Sequence, residues 1–526
     1  MAALAAVALA TPLLIASAVP AAADRGHGDP AKDARKLAKE LVRESSAKDA
    51  YKHLRKLQEI ADANGGHRAA GSPGHDASAA YVYKVLKKAG YKVAYDRFEF
   101  IYTETLAEKL SVVSPAPRDI AIESMTYTKS TPVGGVKAAV AHVPVDATTG
   151  CEATDYALPS PATALNGGPS GRSSVSGAFT GKIALIKRGG CTFAQKQATA
   201  ADAGAIGAIV YNNVPGALAG TLGDPAAAKI PTGGITQAEG EKLAADVAAG
   251  EVTVNFEIRE LQETRETNNV IAETRGGSSA NTVMLGAHLD SVSAGPGIND
   301  NGSGSAGLLE VALELAEEHK QPRNKIRFAL WSAEENGLIG SEKWVEKLTE
   351  AQKKELKLYL NFDMIASPNY GQFVYDGDDS DGKGAGPGPE GSAQLERDIN
   401  AFLDKRGTPH EGTDFDGRSD YGPFIAVGIP SGGTFTGAEG VKTEAQAAKW
   451  GGTAGTAYDP CYHAKCDDLK NIDMKAFGIN IGVIANAVGT YAHDLSSLTK
   501  PVTSAPTGGG DGSGGGLHAD HDRVAE

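Results

Sequence analysis

Three apolar runs in the carboxyl-terminal half share one grammar. TVMLGAH (282–288) ends in His288, IRFALWSAEE (326–335) ends in Glu334 and Glu335, and LKLYLNFD (356–363) ends in Asp363. Each is nearly continuous in apolar residues rather than alternating, as in strands covered on both faces. Helical patterns lie between them. Residues 303–319 place Leu308, Leu309, Ala312, Leu315 and Ala316 on one face, and a further helix is expected near 338–355. Such alternation dictates an α/β fold with at least partly parallel strands and helices on both faces. Ligands bind such sheets at the carboxyl ends of the strands. Here three strand ends each deliver an imidazole or a carboxylate to that edge.

The stretch GAHLDSVSAGPGINDNGSGSAG (286–307) adds Asp290 and Asp300 in a glycine-rich loop. Imidazole and carboxylate donors suit zinc, with manganese and cobalt as weaker candidates. Two metals about 3.5–4 Å apart need a bridging group, and a carboxylate has two oxygens to offer. Asp300, on a supple loop beside His288, is the natural bridge. His288 and Asp363 then serve one metal, and Glu335 with a second histidine serves the other. His463 is the best candidate for that histidine, because a Cys461–Cys466 disulfide in DPCYHAKCDD would hold it stiffly. Glu334 is left free as a general base. Asp290 could accept from the His288 ring nitrogen not used for metal and fix the tautomer.

The other cysteines fit an oxidising compartment. There are four, and locality favours Cys151–Cys191 alongside Cys461–Cys466. Residues 1–23 are small and apolar and end in Ala21-Ala22-Ala23, which predicts a secretory signal and a secreted protein. No later run is long enough for stable membrane insertion. The formal net charge of -14, with no basic tract, argues against a nucleic-acid partner. The tail, 498–526, is glycine-rich and reads as flexible. Towards the amino end, helical patterns are expected over 33–64 and 78–89. A turn-rich loop, HRAAGSPGHDAS, joins them, and a strand follows at 91–100.

Between 133 and 255 the texture changes to Ala, Gly, Val and Thr. GKIALIKRGGCTFAQKQATAADAGAIGAIVYNN (181–213) resembles the protease-associated domain, a small β-rich module often inserted into exported peptidases. HLDSVSAGPGINDNGSG, WSAEENGLIGS, NFDM, GRSDYGPF and CYHAKCD resemble, in this order, the exported bacterial di-zinc aminopeptidases of the leucyl aminopeptidase and aminopeptidase S type. The resemblance implies a discontinuous catalytic domain over 33–132 and 262–497. Its fold would be a mixed, largely parallel eight-stranded sheet between helices. The same resemblance implies two Zn2+ per chain on His288, Asp300, Glu335, Asp363 and His463, with Glu334 as base and Asp290 orienting. Tyr462 would donate to the oxyanion, Arg418 would help position the substrate, and Phe435 would line the pocket for the first side chain. A cis peptide between Asp300 and Asn301 is also implied. The implied reaction removes N-terminal residues, large apolar ones such as leucine, through a zinc-bridging hydroxide. The substrates are peptides with a free N-terminus, and the enzyme is expected to act as a monomer. The runners-up are a carboxypeptidase or dipeptidase with the same metals, for which Arg418 is the candidate carboxylate anchor, and a catalytically silent peptide-binding module.

Overall fold

The three apolar runs are neighbouring strands of one sheet. The computed structural model describes residues 28–157, 177–318, 321–382, 384 and 386–502. The expected export signal and most of the expected tail lie outside them. In spatial order the strands around the site are Glu411–Thr413, Phe373–Tyr375, Ser431–Phe435, Leu356–Phe362, Ser278–His288, Asn324–Trp331, Thr253–Glu273 and Lys92–Ser114. Those from Ser431–Phe435 to Asn324–Trp331 run parallel, and the last two are antiparallel to their neighbours. These eight strands are the catalytic part of a mixed, largely parallel α/β sheet that does not stop there but runs on through Thr253–Glu273 into the inserted unit, to 15 strands in all among the described residues.

Period-two alternation divides its faces. Val283, Leu285 and Ala287 join Leu57, Val82, Leu309 and Ile484 in the main core. Met284 joins Trp331, Tyr359 and Phe424 on the other side. Gly286, also on that side, has no room for more: a Cβ there would lie 2.1 Å from the Tyr359 hydroxyl. Helices Pro30–Glu44, Ala47–Ala63, Pro73–Lys88, Gly304–Glu317 and Met474–Tyr491 supply buried faces to the main core. The single helical stretch expected over 33–64 is two helices. It breaks because the Ser46 side chain caps a new start by accepting from the Asp49 amide. The helix expected near 338–355 breaks likewise at Thr349, which forms a capping box with Gln352. The third helix starts at Pro73, inside the expected loop, with Ser72 as its cap.

The strand expected at 91–100 runs on to Ser114 and pairs along its length with Thr253–Glu273. Both strands of this ribbon leave the catalytic sheet and enter the inserted unit, where Val136–His142 pairs with the Thr253 end. Ile183–Lys187, Gly207–Tyr211 and Thr232–Ile235 extend that side, flanked by helices Phe193–Asp202 and Gln237–Ala249. Strand Glu123–Thr126, before the expected boundary at 132/133, also pairs into this unit. The unit has its own core, with Leu185, Ile209 and Phe256 packed on Leu110 of the ribbon. Disulfides join Cys151 to Cys191 and Cys461 to Cys466. Among the described residues, no helix is long and apolar enough to cross a membrane.

Candidate active site

Parallel register brings the chemistry together. His288 pairs with Trp331, and Gly286 pairs with Asn361, so three strands finish at one level. His288 ends the first, Glu334 and Glu335 follow the second, and Asp363 follows the third. Asp300 enters from the loop, across a cis peptide to Asn301. The Asp300 and Asn299 amides donate to the two oxygens of Asp467, at 3.0 and 2.8 Å. Asp467 follows the Cys461–Cys466 segment, and that segment carries His463 at φ +54°. One short stretch therefore supplies a histidine and also holds the backbone of the central acid.

Two donor sets share Asp300: His288 with Asp363, and Glu335 with His463. Asp300 Oδ1 lies 3.2 Å from His288 Nε2, and Oδ2 lies 3.2 Å from His463 Nε2. His288 Nε2 is 3.3 Å from Asp363 Oδ1, and His463 Nε2 is 3.0 Å from Glu335 Oε2. Burial favours neutral imidazoles, but the carboxylates around them outweigh it and raise both histidines. Glu334 is pushed well above the ordinary carboxylate range by burial, with Asp363 and Asp420 adding to it against the pull of His288. So much buried negative charge calls for cations. The orphaned, buried oxygens Asp363 Oδ1 and Glu335 Oε1 accept no hydrogen bond. Nitrogen and oxygen donors of this kind fit zinc.

The surrounding groups fix these donors. His288 Nδ1 lies 3.2 Å from the main-chain carbonyl of Asp290, and the Asp290 carboxylate stands further off at 3.7 Å. The closer partner for the tautomer is thus the backbone of Asp290. Its carboxylate instead lies 3.5 Å from the Glu334 amide. Ser419 donates to Asp363 Oδ2 at 2.6 Å and accepts from Asn361 at 2.8 Å. This leaves Asp363 Oδ1 as the free oxygen. Tyr462 stacks on the His463 ring at 3.8 Å, and Arg418 donates to its hydroxyl at 3.2 Å and to Glu439 at 2.7 Å. Phe435 faces the cleft and also packs 6.3 Å from Phe373, so it both lines and supports.

Sequence reasoning missed Ser419, Asn361 and Asp467, although all three stand inside motifs it singled out. It also missed Asp420, a buried acid that burial pushes up to about 8. Nor did it foresee that Thr126, Tyr127, Thr221 and Gly223 of the inserted unit would line the same cleft of about 270 Å³. No local pattern marks these contacts, because they depend on how the two units meet.

Paired donor sets at the carboxyl edge of an α/β sheet, with a spare buried acid beside them, define a metal-dependent hydrolase. Its family follows from comparison with known proteins. The chain belongs to peptidase family M28, whose model matches residues 269–488, and a PA domain model matches residues 136–243. It is 43% identical over 466 residues to leucine aminopeptidase 2 of Trichophyton tonsurans, covering 88% of each chain. An aminopeptidase from Aneurinibacillus sp. strain AM-1 superposes with a TM-score of 0.65 at 27% identity, covering 86% of this chain and 95% of that one. BSAP, a zinc aminopeptidase from Bacillus subtilis, gives a TM-score of 0.56 at 25% identity, covering 84% and 94%.

Proposed function

We propose that this chain removes N-terminal residues from peptides at a centre of two zinc ions, one on His288 and Asp363, the other on Glu335 and His463, with Asp300 shared. The enzyme is a zinc-dependent aminopeptidase with an inserted PA domain. The observation that carries the reading is Asp300, whose two oxygens each face a different histidine at 3.2 Å. Zinc bound by these residues would supply a water of lowered pKa and a Lewis acid for the scissile carbonyl.

The chain's own residues do the rest. Glu334 is buried beside His288 and belongs to neither donor set, so it can take the proton of the attacking water and return it to the leaving amine. Glu334 and Asp363 together present negative charge to the α-ammonium of the substrate. Tyr462 already accepts from Arg418, so its own hydrogen is available to the developing oxyanion. Asp290 braces the Glu334 backbone. Phe435, Met364 and Tyr375 line the cleft and suit a large apolar first side chain such as leucine. The same cleft favours an aminopeptidase over a carboxypeptidase, because Arg418 is engaged by Glu439 and Tyr462.

In this reading the catalytic domain is discontinuous over 33–132 and 262–497 with 133–255 inserted, except that strand Glu123–Thr126 and Tyr127 go with the inserted unit. Two disulfides suit a secreted protein. The chain acts alone on peptide substrates, as a monomer. Leucine p-nitroanilide and its N-acetyl derivative test the reading. The free amine should be cleaved and the acetylated compound spared. Equal turnover of both would overturn it.

A further inference from the structure

Arg68 lies in the turn between helices Ala47–Ala63 and Pro73–Lys88, and its side chain is fully buried. The guanidinium donates from Nη1 to the Leu289 carbonyl, from Nε to the Pro296 carbonyl at 2.9 Å and from Nη2 to the Gly297 carbonyl at 2.5 Å. The backbone joins in. The Arg68 amide donates to Ser291 Oγ at 2.9 Å, and the Ser291 amide donates back to the Arg68 carbonyl at 3.4 Å.

These acceptors are the two ends of one excursion of the chain. Leu289 directly follows His288, while Pro296 and Gly297 lie just before Asp300. A single planar group therefore grips the chain where it leaves one metal donor and where it returns to the next. Gly297 makes the return possible: it sits at φ +61°, and a Cβ there would lie 2.3 Å from the Asp300 carbonyl. All three side-chain acceptors are neutral, so the charge is not spent on a contacting carboxylate. Asp290, Asp467, Asp300 and Glu335 feel it through the interior instead. Lysine could not substitute, since only the guanidinium presents several donors in a fixed fork.

We propose that Arg68 is the positioning residue of the metal pair, clipping the ends of loop 289–297 so that His288 and Asp300 stand at their working separation before zinc arrives. This rests on the two-zinc reading of the site. A glycine-rich loop left to itself would have to be ordered at the moment of metal binding, and affinity would fall by that cost.

The test is zinc affinity, measured by chelator competition on the full chain, for wild type, Arg68→Lys, Arg68→Met and Ser291→Ala. Thermal unfolding of each zinc-free protein is followed in parallel. The expected result is two zincs in the wild type and a zinc dissociation constant raised about 10–100-fold in both Arg68 variants, the usual effect of losing a group that orients a ligand. Ser291→Ala should show a smaller loss in the same direction. Wild-type zinc affinity in Arg68→Lys and Ser291→Ala, with the damage confined to unfolding temperature, would overturn the proposal and leave Arg68 a purely structural residue. If neither Arg68 variant folds, Ser291→Ala decides alone, and unchanged affinity there counts against the clip. A wild type that binds no zinc overturns the metal centre itself, and the clip falls with it.

Discussion

Glu334→Gln isolates the proton-transfer step. The side chain is 9% exposed, and Oε2 lies 3.9 Å from His288 Nε2. Glutamine has nearly the same shape, and Glu334 belongs to neither donor set, so both zincs should stay. The change also removes a buried negative charge beside Asp363 and Asp420, so the fold should not weaken. What is lost is the proton acceptor. A positioned general base contributes about 10²–10⁴ in rate. At about 1.36 kcal/mol per decade, that is about 2.7–5.4 kcal/mol of transition-state stabilisation. The assay is kcat and KM on leucine p-nitroanilide, with zinc counted on the same sample. We expect kcat to fall by about 100-fold or more, with a smaller rise in KM from the lost charge that faces the α-ammonium, since proton transfer itself is used only in the transition state. A loss under tenfold with two zincs bound would refute the assignment. A loss that tracks the zinc content would make Glu334 a ligand instead.

Three further outcomes follow from other parts of the molecule. Tyr127→Ala removes a side chain of the inserted unit from the cleft wall. It should raise kcat/KM for peptides of five or more residues and leave leucine p-nitroanilide unchanged, and an equal effect on both would count against a wall that senses length. Replacing Cys461 and Cys466 together by serine frees the segment that holds His463. Zinc titration should then show the Glu335–His463 site weakened more than the His288–Asp363 site, whereas two weakened equally would mean that the staple braces the whole site. Burial pushes Glu310 from the ordinary 4.5 up to about 7, although the Ser46 amide donates to it at 2.9 Å. A carboxyl raised by folding stabilises at acid pH, and that contribution fades as pH climbs towards 7. Glu310→Gln should therefore melt close to wild type at pH 5 and above it at pH 8, and a lower melting temperature at pH 8 would show that the charged form is the one that holds Ser46.

The parts that could be read from sequence were those that depend on local periodicity and chain order. Apolar runs gave the strands, and a parallel sheet aligns strand ends without further information. His288, Glu334, Glu335 and Asp363 were therefore visible in advance as a group. The proposed bridge at Asp300 and its proposed partner at His463 came from the chemistry of two metals and a bracketing cysteine pair. Arg68 could not be found this way. Its surroundings, HRAAGSPGHDAS, look like any turn, and its three acceptors are backbone carbonyls that carry no residue signature. Ser419 was hidden for a similar reason, since one serine hydroxyl looks like another until Asp363 lies 2.6 Å away. Helix ends at Ser46 and Thr349 were misjudged because amphipathic spacing continued across them while side-chain caps stopped the helix. The length of the ribbon was missed because a change in composition reads as a boundary, and strands can cross it.

That ribbon makes the two units one inheritance. Lys92–Ser114 and Thr253–Glu273 are partners in the catalytic sheet, yet most of the inserted unit lies between them in sequence, and their far ends help to build its core. A floppy insert would charge the sheet an entropy of closure each time those strands met, whereas a folded one hands its two ends back already side by side. Pairing along that edge is therefore favoured once the insert has folded. Damage to Phe256 or Leu110, in the insert's own core, should surface as missing peptidase rather than as a loose domain. A lineage that kept the enzyme would have had to keep its passenger folded as well.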